Sequence, residues 1–420
     1  MITVGLDFGT HQTKVCIEDK DGVELNYTFL TFRDTNNSPY YTLPSIIGVN
    51  NDETLLYGFL PENFNGKILR YFKQNTFYRS APAYQANAIY HSIWYIAFIL
   101  FDLEEKFGQD FTIQMGAPSD SSHLEQAKQV ATRIIASAYK LVEEVFENDK
   151  EFFLSCTYKD LMGVTELVPY SKEIKEEYGL LVFPEAYACL RPLINQGKIS
   201  LGMNLMVDIG GGTTDISFFT IEKGMPQVYD FFSINKGLNY LTCADEIENT
   251  SRDSNVHQSS AINHERRNSF KQEISNICKH LINNLQRELA RQTSFHVSRL
   301  MDALKNRPIV YCGGGSTFGL LRIPFSEFRD VKLISHTEWD AKSVTDMEVI
   351  RTRKLCPILS TAYGLAISTT NDRIKTTPFR DIFAHLRGLG EEEKHKTTYG
   401  ANFGSAYGGF SYGDDWDAWK

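Results

Sequence analysis

The residues of this chain best suited to chemistry are acids and threonines at the ends of short apolar runs, beside glycines. Asn204–Ile221 reads NLMVDIGGGTTDISFFTI. Leu205, Met206 and Val207 form an apolar run that breaks off at Asp208, meets Gly210, Gly211 and Gly212, and resumes over Ile216–Ile221. Two apolar runs joined by Gly, Thr and Asp predict a β-hairpin. Three glycines remove every Cβ from the bend, so backbone N–H groups can approach a bulky anion. Asp208 supplies the carboxylate that a hydrated Mg²⁺ needs, and Thr213 supplies a hydroxyl. A glycine-rich bend alone fits an ordinary hairpin equally well.

A second copy of the pattern points beyond that. Ile2–Ile17 reads ITVGLDFGTHQTKVCI: an apolar strand, then Asp7, Gly9 and Thr10, then a second strand over Lys14–Ile17. Two Asp-Gly-Thr hairpins about two hundred residues apart predict a duplicated domain that grips one ligand from both sides. Asp7 and Asp208 are then the paired metal-holding acids.

The elements that must position these turns are spread along the chain. Gly22–Phe32 reads as a third strand, Leu43–Val49 as an extended segment, and Ala88–Glu105 as a helix crossing back to the strand Phe111–Met115. Ser119 or Asp120 can cap the next helix, Ser122–Glu147, whose apolar residues recur at i, i+3/i+4. Asn65–Phe77 carries Ile68, Leu69 and Phe72 with a basic set of Lys67, Arg70 and Lys73, which also fits a solvated helix face. Residues 147–178 are charged and read as an added hairpin and surface loop. Gln227–Ser233 predicts a strand, 247–260 a loop, and Glu265–Leu304 a long helix or helix pair.

Composition sets limits. At 420 residues the chain can form two domains, each with its own core. A net charge of −9 speaks against a direct grip on nucleic acid, which needs a basic face. The seven cysteines form no CxxC pair and read as reduced thiols, hence an expected cytoplasmic location. No basic-then-apolar leader opens the chain, and Ile93–Leu103 is too short to span a bilayer, so a soluble protein is expected.

The two turns resemble the phosphate-binding loops of the actin/Hsp70/sugar-kinase ATPase superfamily. DIGGGTTDIS is very close to the Hsp70 form, and the resemblance covers about Ile2 to Thr370. It implies an α/β, actin-like ATPase fold: two duplicated ribonuclease H-like lobes, 1–190 and 191–370, around a nucleotide cleft, with an extension over 371–420. ATP and Mg²⁺ are the implied ligands. Gly9, Thr10, Gly210, Gly211, Gly212 and Thr213 would bind phosphate, and Lys14, placed as in actins, could reach the β-phosphate. Lys73, with Arg70 as the alternative, occupies the region from which Hsp70 sends a lysine to the γ-phosphate. In GLLVFPEAYACL the order Pro184-Glu185 is nearer the plasmid-partition actins than Hsp70, and Glu185 is the candidate for orienting the attacking water.

Gly237-Leu238-Asn239-Tyr240 stands in the place of a phosphate-contacting turn, one glycine short. Pro308–Phe318 resembles the adenosine motif, with Gly314, Gly315 and Ser316 beside the nucleoside; the place of the basic stacking residue falls on Phe318 or Gly319, and the Phe318 ring could stack on a purine instead. Lys271 and Lys279 are weaker adenosine candidates than solvated lysines. LSTAYGLAI, over Leu359–Ile367, resembles a closing helix whose small residues permit close contact between lobes.

About fifty residues remain, ending in a Gly/Tyr/Phe/Trp tail too poor in aliphatic residues to build a core. On that length the peptide-holding module of Hsp70 chaperones is expected to be absent. The expected function is therefore a slow Mg·ATP hydrolase, a nucleotide switch acting on a separate protein partner. Self-assembly as a filament-forming actin-like protein is the alternative. A small-molecule kinase of the same superfamily lacks a recognisable substrate signature.

Overall fold

The structure, a computed structural model, describes residues 2–21, 24–77, 82–108, 110–118, 123–168, 179–195, 197, 199, 204–222, 225–241, 264–292, 310–317 and 343–369. Its first hairpin pairs β1 (Ile2–Asp7) with β2 (Gln12–Asp21), placing Leu6 opposite Val15 and Asp7 opposite Lys14. Short strands come next: β3 (Glu24–Phe29), β4 (Phe32–Arg33), β5 (Pro39–Tyr40), β6 (Leu43–Pro44), β7 (Ile47–Val49), β8 (Leu55–Tyr57) and β9 (Lys67–Leu69). After them lie α1 (Phe72–Phe77), α2 (Pro82–Phe107), β10 (Phe111–Ala117) and α3 (Leu124–Lys140), which runs into a π-helical turn over Leu141–Val145. The first half closes with α4 (Lys150–Ser155), α5 (Tyr158–Leu167), β11 (Leu181–Pro184), α6 (Glu185–Ala188) and α7 (Arg191–Asn195). The second hairpin, β12 (Asn204–Ile209) with β13 (Thr214–Glu222), leads into β14 (Met225–Ile234), α8 (Leu238–Leu241), α9 (His264–Gln292) and β15 (Val310–Cys312). A 3₁₀ turn at Gly314–Thr317, α10 (Met347–Thr352) and α11 (Cys356–Ala366) complete the described chain.

The protein is mixed α/β. The first sheet runs β11-β10-β1-β2-β3, with β6 added on β2. The second runs β14-β13-β12-β15. In both, a central strand carrying an aspartate at or near its end has an antiparallel meander on one side and a parallel neighbour on the other, β10 beside β1 and β15 beside β12. Parallel pairing needs a long crossover, and α2 lies in the one between β1 and β10.

Strand alternation divides the first core in two. Val4, Leu6, Val15 and Ile17 face the layer that holds α2 and α3, whereas Cys16, Tyr27 and Phe29 face α11. Gly5 permits that second contact, since a Cβ there would lie 2.2 Å from the backbone N of Ala366. A sheet buried on both faces explains the nearly continuous apolar run in β1. The late segment also joins this sheet's edge: Tyr27 N donates to Ser343 O at 2.7 Å, and Thr345 N donates to Tyr27 O at 2.9 Å. The first sheet and residues 343–369 are therefore contiguous in space, although far apart in sequence.

Several sequence expectations are corrected. Asn65–Phe77 is not one helix, because Lys67–Leu69 pairs with Ile47–Val49 as a strand and the helix begins only at Phe72. Its basic residues form no common solvated face, for Lys73 is only 3% exposed. Residues 150–167 form two helices instead of a hairpin and loop. Asp149 caps α4 by accepting from Phe152 N, and Thr157 and Asp160 form a reciprocal capping box at α5. Both helices are docked: Phe153 and Leu161 are buried, and Trp94 Nε1 donates to Thr165 Oγ1 at 2.7 Å. Strand β3 stops at Phe29, and Phe32 belongs to a separate pair with Tyr40. Ser119, Asp120, 169–178, 247–260, 293–304, Phe318 and 371–420 lie outside the described residues. Among the described residues no helix is long and apolar enough to cross a membrane.

Candidate functional site

Both central strands end at the same place, and the two hairpin tips touch there. A Cβ on Gly212 would lie 2.6 Å from Thr10 Cγ2, and one on Gly211 would lie 2.2 Å from His11 Cδ2. These glycines are thus needed for loop-to-loop approach. The first tip is braced from behind: Ser45 Oγ donates to Gly9 O at 2.7 Å, and Ser45 N donates to His11 O at 2.7 Å. Tyr95 OH, bonded to the carbonyls of Leu43 and Pro44, holds that brace in place.

Helix α1 closes the side of the gap. Gln74 Nε2 donates to Gly212 O at 2.9 Å and to Asn235 Oδ1 at 2.8 Å. Beside it on α1, Lys73 Nζ donates to Glu185 Oε1 at 2.5 Å, and both side chains are buried. Glu185 is aimed there because Pro184 ends β11 and the chain turns directly into α6. Gly116 on neighbouring β10 leaves the room, as a Cβ there would meet Glu185 Cγ at 2.9 Å. Lys14, opposite Asp7 in the ladder, donates to Asp7 Oδ2 at 2.9 Å.

Charge in this gap is unbalanced. Asp7, Asp208, Asp215 and Glu185 interact electrostatically, with Lys14 and Lys73 as the paired cations. Burial pushes Asp208 well above the usual carboxylate range, and the charges of Asp215, Glu185 and Asp7 push the same way. Asp215, paired in register with Asp208, is pushed up to about 7, first by burial and then by Glu185, against hydrogen bonds from Ser233 and Thr213. Glu185 is raised by burial, a rise that Lys73 opposes. Dry carboxylates in excess of their cations are what a bound cation would relieve.

The remaining predicted residues fall around this centre. Gly313 has φ +75, and a Cβ there would lie 2.2 Å from Asp208 Oδ1, so this glycine lets the third turn pass against the acid. Gly315 packs on Ile209, with a Cβ-to-Cγ2 distance of 2.5 Å, and Gly314 has Leu238 Cδ1 at 3.5 Å. Close packing against the second hairpin therefore accounts for Gly313 and Gly315. The Ser316 hydroxyl is engaged inside its own turn, donating to Gly313 O at 2.7 Å. Gly237 packs behind the second tip, and Leu238 N donates to Gly210 O at 3.0 Å.

Three residues at the gap carry no obvious sequence signal. Asp215 could have been found from the hairpin register, which sets it across from Asp208. Gln74 and His11 could not, since each gains its meaning only when the two tips meet. His11 is particular: its Nε2 is shut off from solvent with no hydrogen-bond partner.

The gap offers cradles that a Cβ would fill, two ammonium groups and excess carboxylate. Among the described residues no group of three or more His, Cys, Asp or Glu side chains is arranged to hold a metal ion. A cation here would rely on one or two carboxylates and water. A scan of known protein families and a search of curated proteins both return no match for this chain.

Proposed function

We propose that this chain is an ATP hydrolase of the actin/Hsp70 kind, with an actin-like fold of two duplicated ribonuclease H-like lobes that binds Mg·ATP between Asp7 and Asp208. One observation carries the reading: two sheets of the same strand pattern bring their aspartate-bearing central strands and glycine turns together at one gap. Asp7 and Asp208 would hold a hydrated Mg²⁺, and 191–370 with 1–190 would supply the two sides of the cleft. The ion, when bound, neutralises phosphate charge and polarises the phosphoryl oxygens.

The chain's own groups do the rest. Backbone N–H groups of Gly9, Gly211 and Gly212, with the Thr10 and Thr213 hydroxyls, donate to phosphate oxygens, while the Gly210 N–H closes the turn by donating to Thr213 O at 2.9 Å. Lys14 and Lys73, each paired with a carboxylate, turn toward phosphate when it enters. Losing Lys73 leaves Glu185 with a raised proton affinity, so it can hold a water in line and accept its proton. Gly314, Gly315 and Ser316 form the nucleoside side of the same reading, and Phe318 its stacking partner. Hydrolysis removes a contact that holds the lobes together, and lobe opening is then the signal passed to a protein partner. Residence in the cytoplasm belongs to this reading, as ATP and free thiols are both maintained there.

The test is phosphate release from Mg·ATP with no acceptor added. The unaltered chain should release phosphate slowly, and Glu185→Gln should cut the rate by about a hundredfold or more while retaining nucleotide. No release by the unaltered chain, or an undiminished rate in E185Q, would contradict the assignment. A filament-forming actin-like protein is the second reading. It is favoured by Lys14, which sits on the hairpin beside Asp7, and ATP-dependent sedimentation would reveal it.

A further inference from the structure

His11 stands at the tip of the first hairpin, between Asp7 and β2, with its ring lying over Gly211 of the second. Its backbone is pinned by the bond from Ser45 N to His11 O. The ring meets Tyr71 edge-on with centroids 6.1 Å apart, yet the solvent-shielded Nε2 has no partner. A buried, unpaired imidazole nitrogen costs stability, and such groups persist where a ligand completes them.

We propose that His11 is a phosphate ligand, whose Nε2–H donates to the outermost phosphoryl oxygen of a bound nucleoside triphosphate. This rests on the reading that a nucleotide occupies the gap between the hairpins. The chemistry comes from the neighbours. Lys14 on the same hairpin and Arg70 beyond β9 lower the ring's proton affinity, after burial, to a pKa of about 4. From the second hairpin the ring meets a glycine, which brings no charge of its own. The imidazole is accordingly neutral near pH 7, under the opposing field of Lys14 and Arg70. An entering polyphosphate reverses that field and raises the ring's proton affinity. Binding should therefore draw a proton from solution, and should do so more for a triphosphate than for a diphosphate that stops short of the ring.

Titration calorimetry of Mg·ATP and Mg·ADP near pH 7, in two buffers of different ionisation enthalpy, measures that proton directly. The unaltered chain should take up a proton fraction with ATP that is smaller with ADP. His11→Ala should lose the uptake and weaken ATP about tenfold while leaving ADP nearly unchanged. His11→Gln keeps a donor without a titratable ring, so it should recover most of the affinity but none of the uptake. Thermal melting of each variant checks that it is folded. Equal uptake in H11Q and the unaltered chain would overturn the role of His11 alone. Absence of any nucleotide heat from the unaltered chain would overturn the nucleotide site with it.

Discussion

At the scale of single residues, the gap between the hairpins holds a buried ion pair whose loss is costly. Lys73 and Glu185 are both buried, and removing one partner strands the other's charge in a dry site. Lys73→Ala should cost about 3 kcal/mol or more in denaturant unfolding. The double change Lys73→Met with Glu185→Leu should cost clearly less, since neither charge is left behind. Equal losses in the two proteins would show that the pair is not closed in the free state.

Asp215 behaves differently, because its pKa is raised on folding from 3.8 to about 7. Between those values the folded state binds more protons than the unfolded one, so this group's contribution to stability falls as pH rises through the window. Asp215→Asn removes that dependence. Its stability relative to the unaltered chain should grow from pH 4 to pH 7 by up to about 4 kcal/mol and then level off. A gap that shrinks with rising pH would contradict the charge arrangement.

At the scale of elements, α11 is the member on which the others depend. Its Gly364 lies so close to α6 that a Cβ would fall 1.8 Å from the carbonyl oxygen of Ala188. Arg191 Nη1 donates to Gly364 O at 2.9 Å across the same joint. Gly364→Ala must push α11 from α6, the helix that begins with Glu185, and should destabilise the protein by about 2 kcal/mol or more in denaturant unfolding. A neutral result would mean that the joint is loosely packed.

Much of the element order was legible in the chain. Apolar alternation ending in Asp, Gly and Thr predicts both hairpins, and the period of Ala88–Glu105 predicts the helix seen over Pro82–Phe107. Lys67–Leu69 misleads because a three-residue strand shows no period that separates it from a helical turn. In α4 and α5 the caps at Asp149 and Thr157 were present in sequence, but a charged surface masked the buried Phe153 and Leu161. The candidate site was legible where an acid stands at or near a strand end beside a glycine turn, as at Asp7 and Asp208. It was illegible where contact between distant segments creates it, as at His11 and Gln74. Lys73 and Glu185 were each legible alone, but their ion pair was not.

At the scale of the whole molecule, the two sheets repeat one plan, and the late segment 343–369 returns to pack against the first sheet. A ligand seated between the hairpin tips would therefore touch both halves of the chain. Binding to the folded state alone raises its stability by mass action, about 2.7 kcal/mol at a hundredfold excess over Kd. The most direct measurement is calorimetry of Mg·ATP with the unaltered chain and with the double variant Asp7→Asn, Asp208→Asn. The account predicts one nucleotide per chain, dependent on Mg²⁺, and loss of that dependence in the double variant. Magnesium-dependent binding that survives neutralisation of both aspartates, or no binding by the unaltered chain, would contradict it.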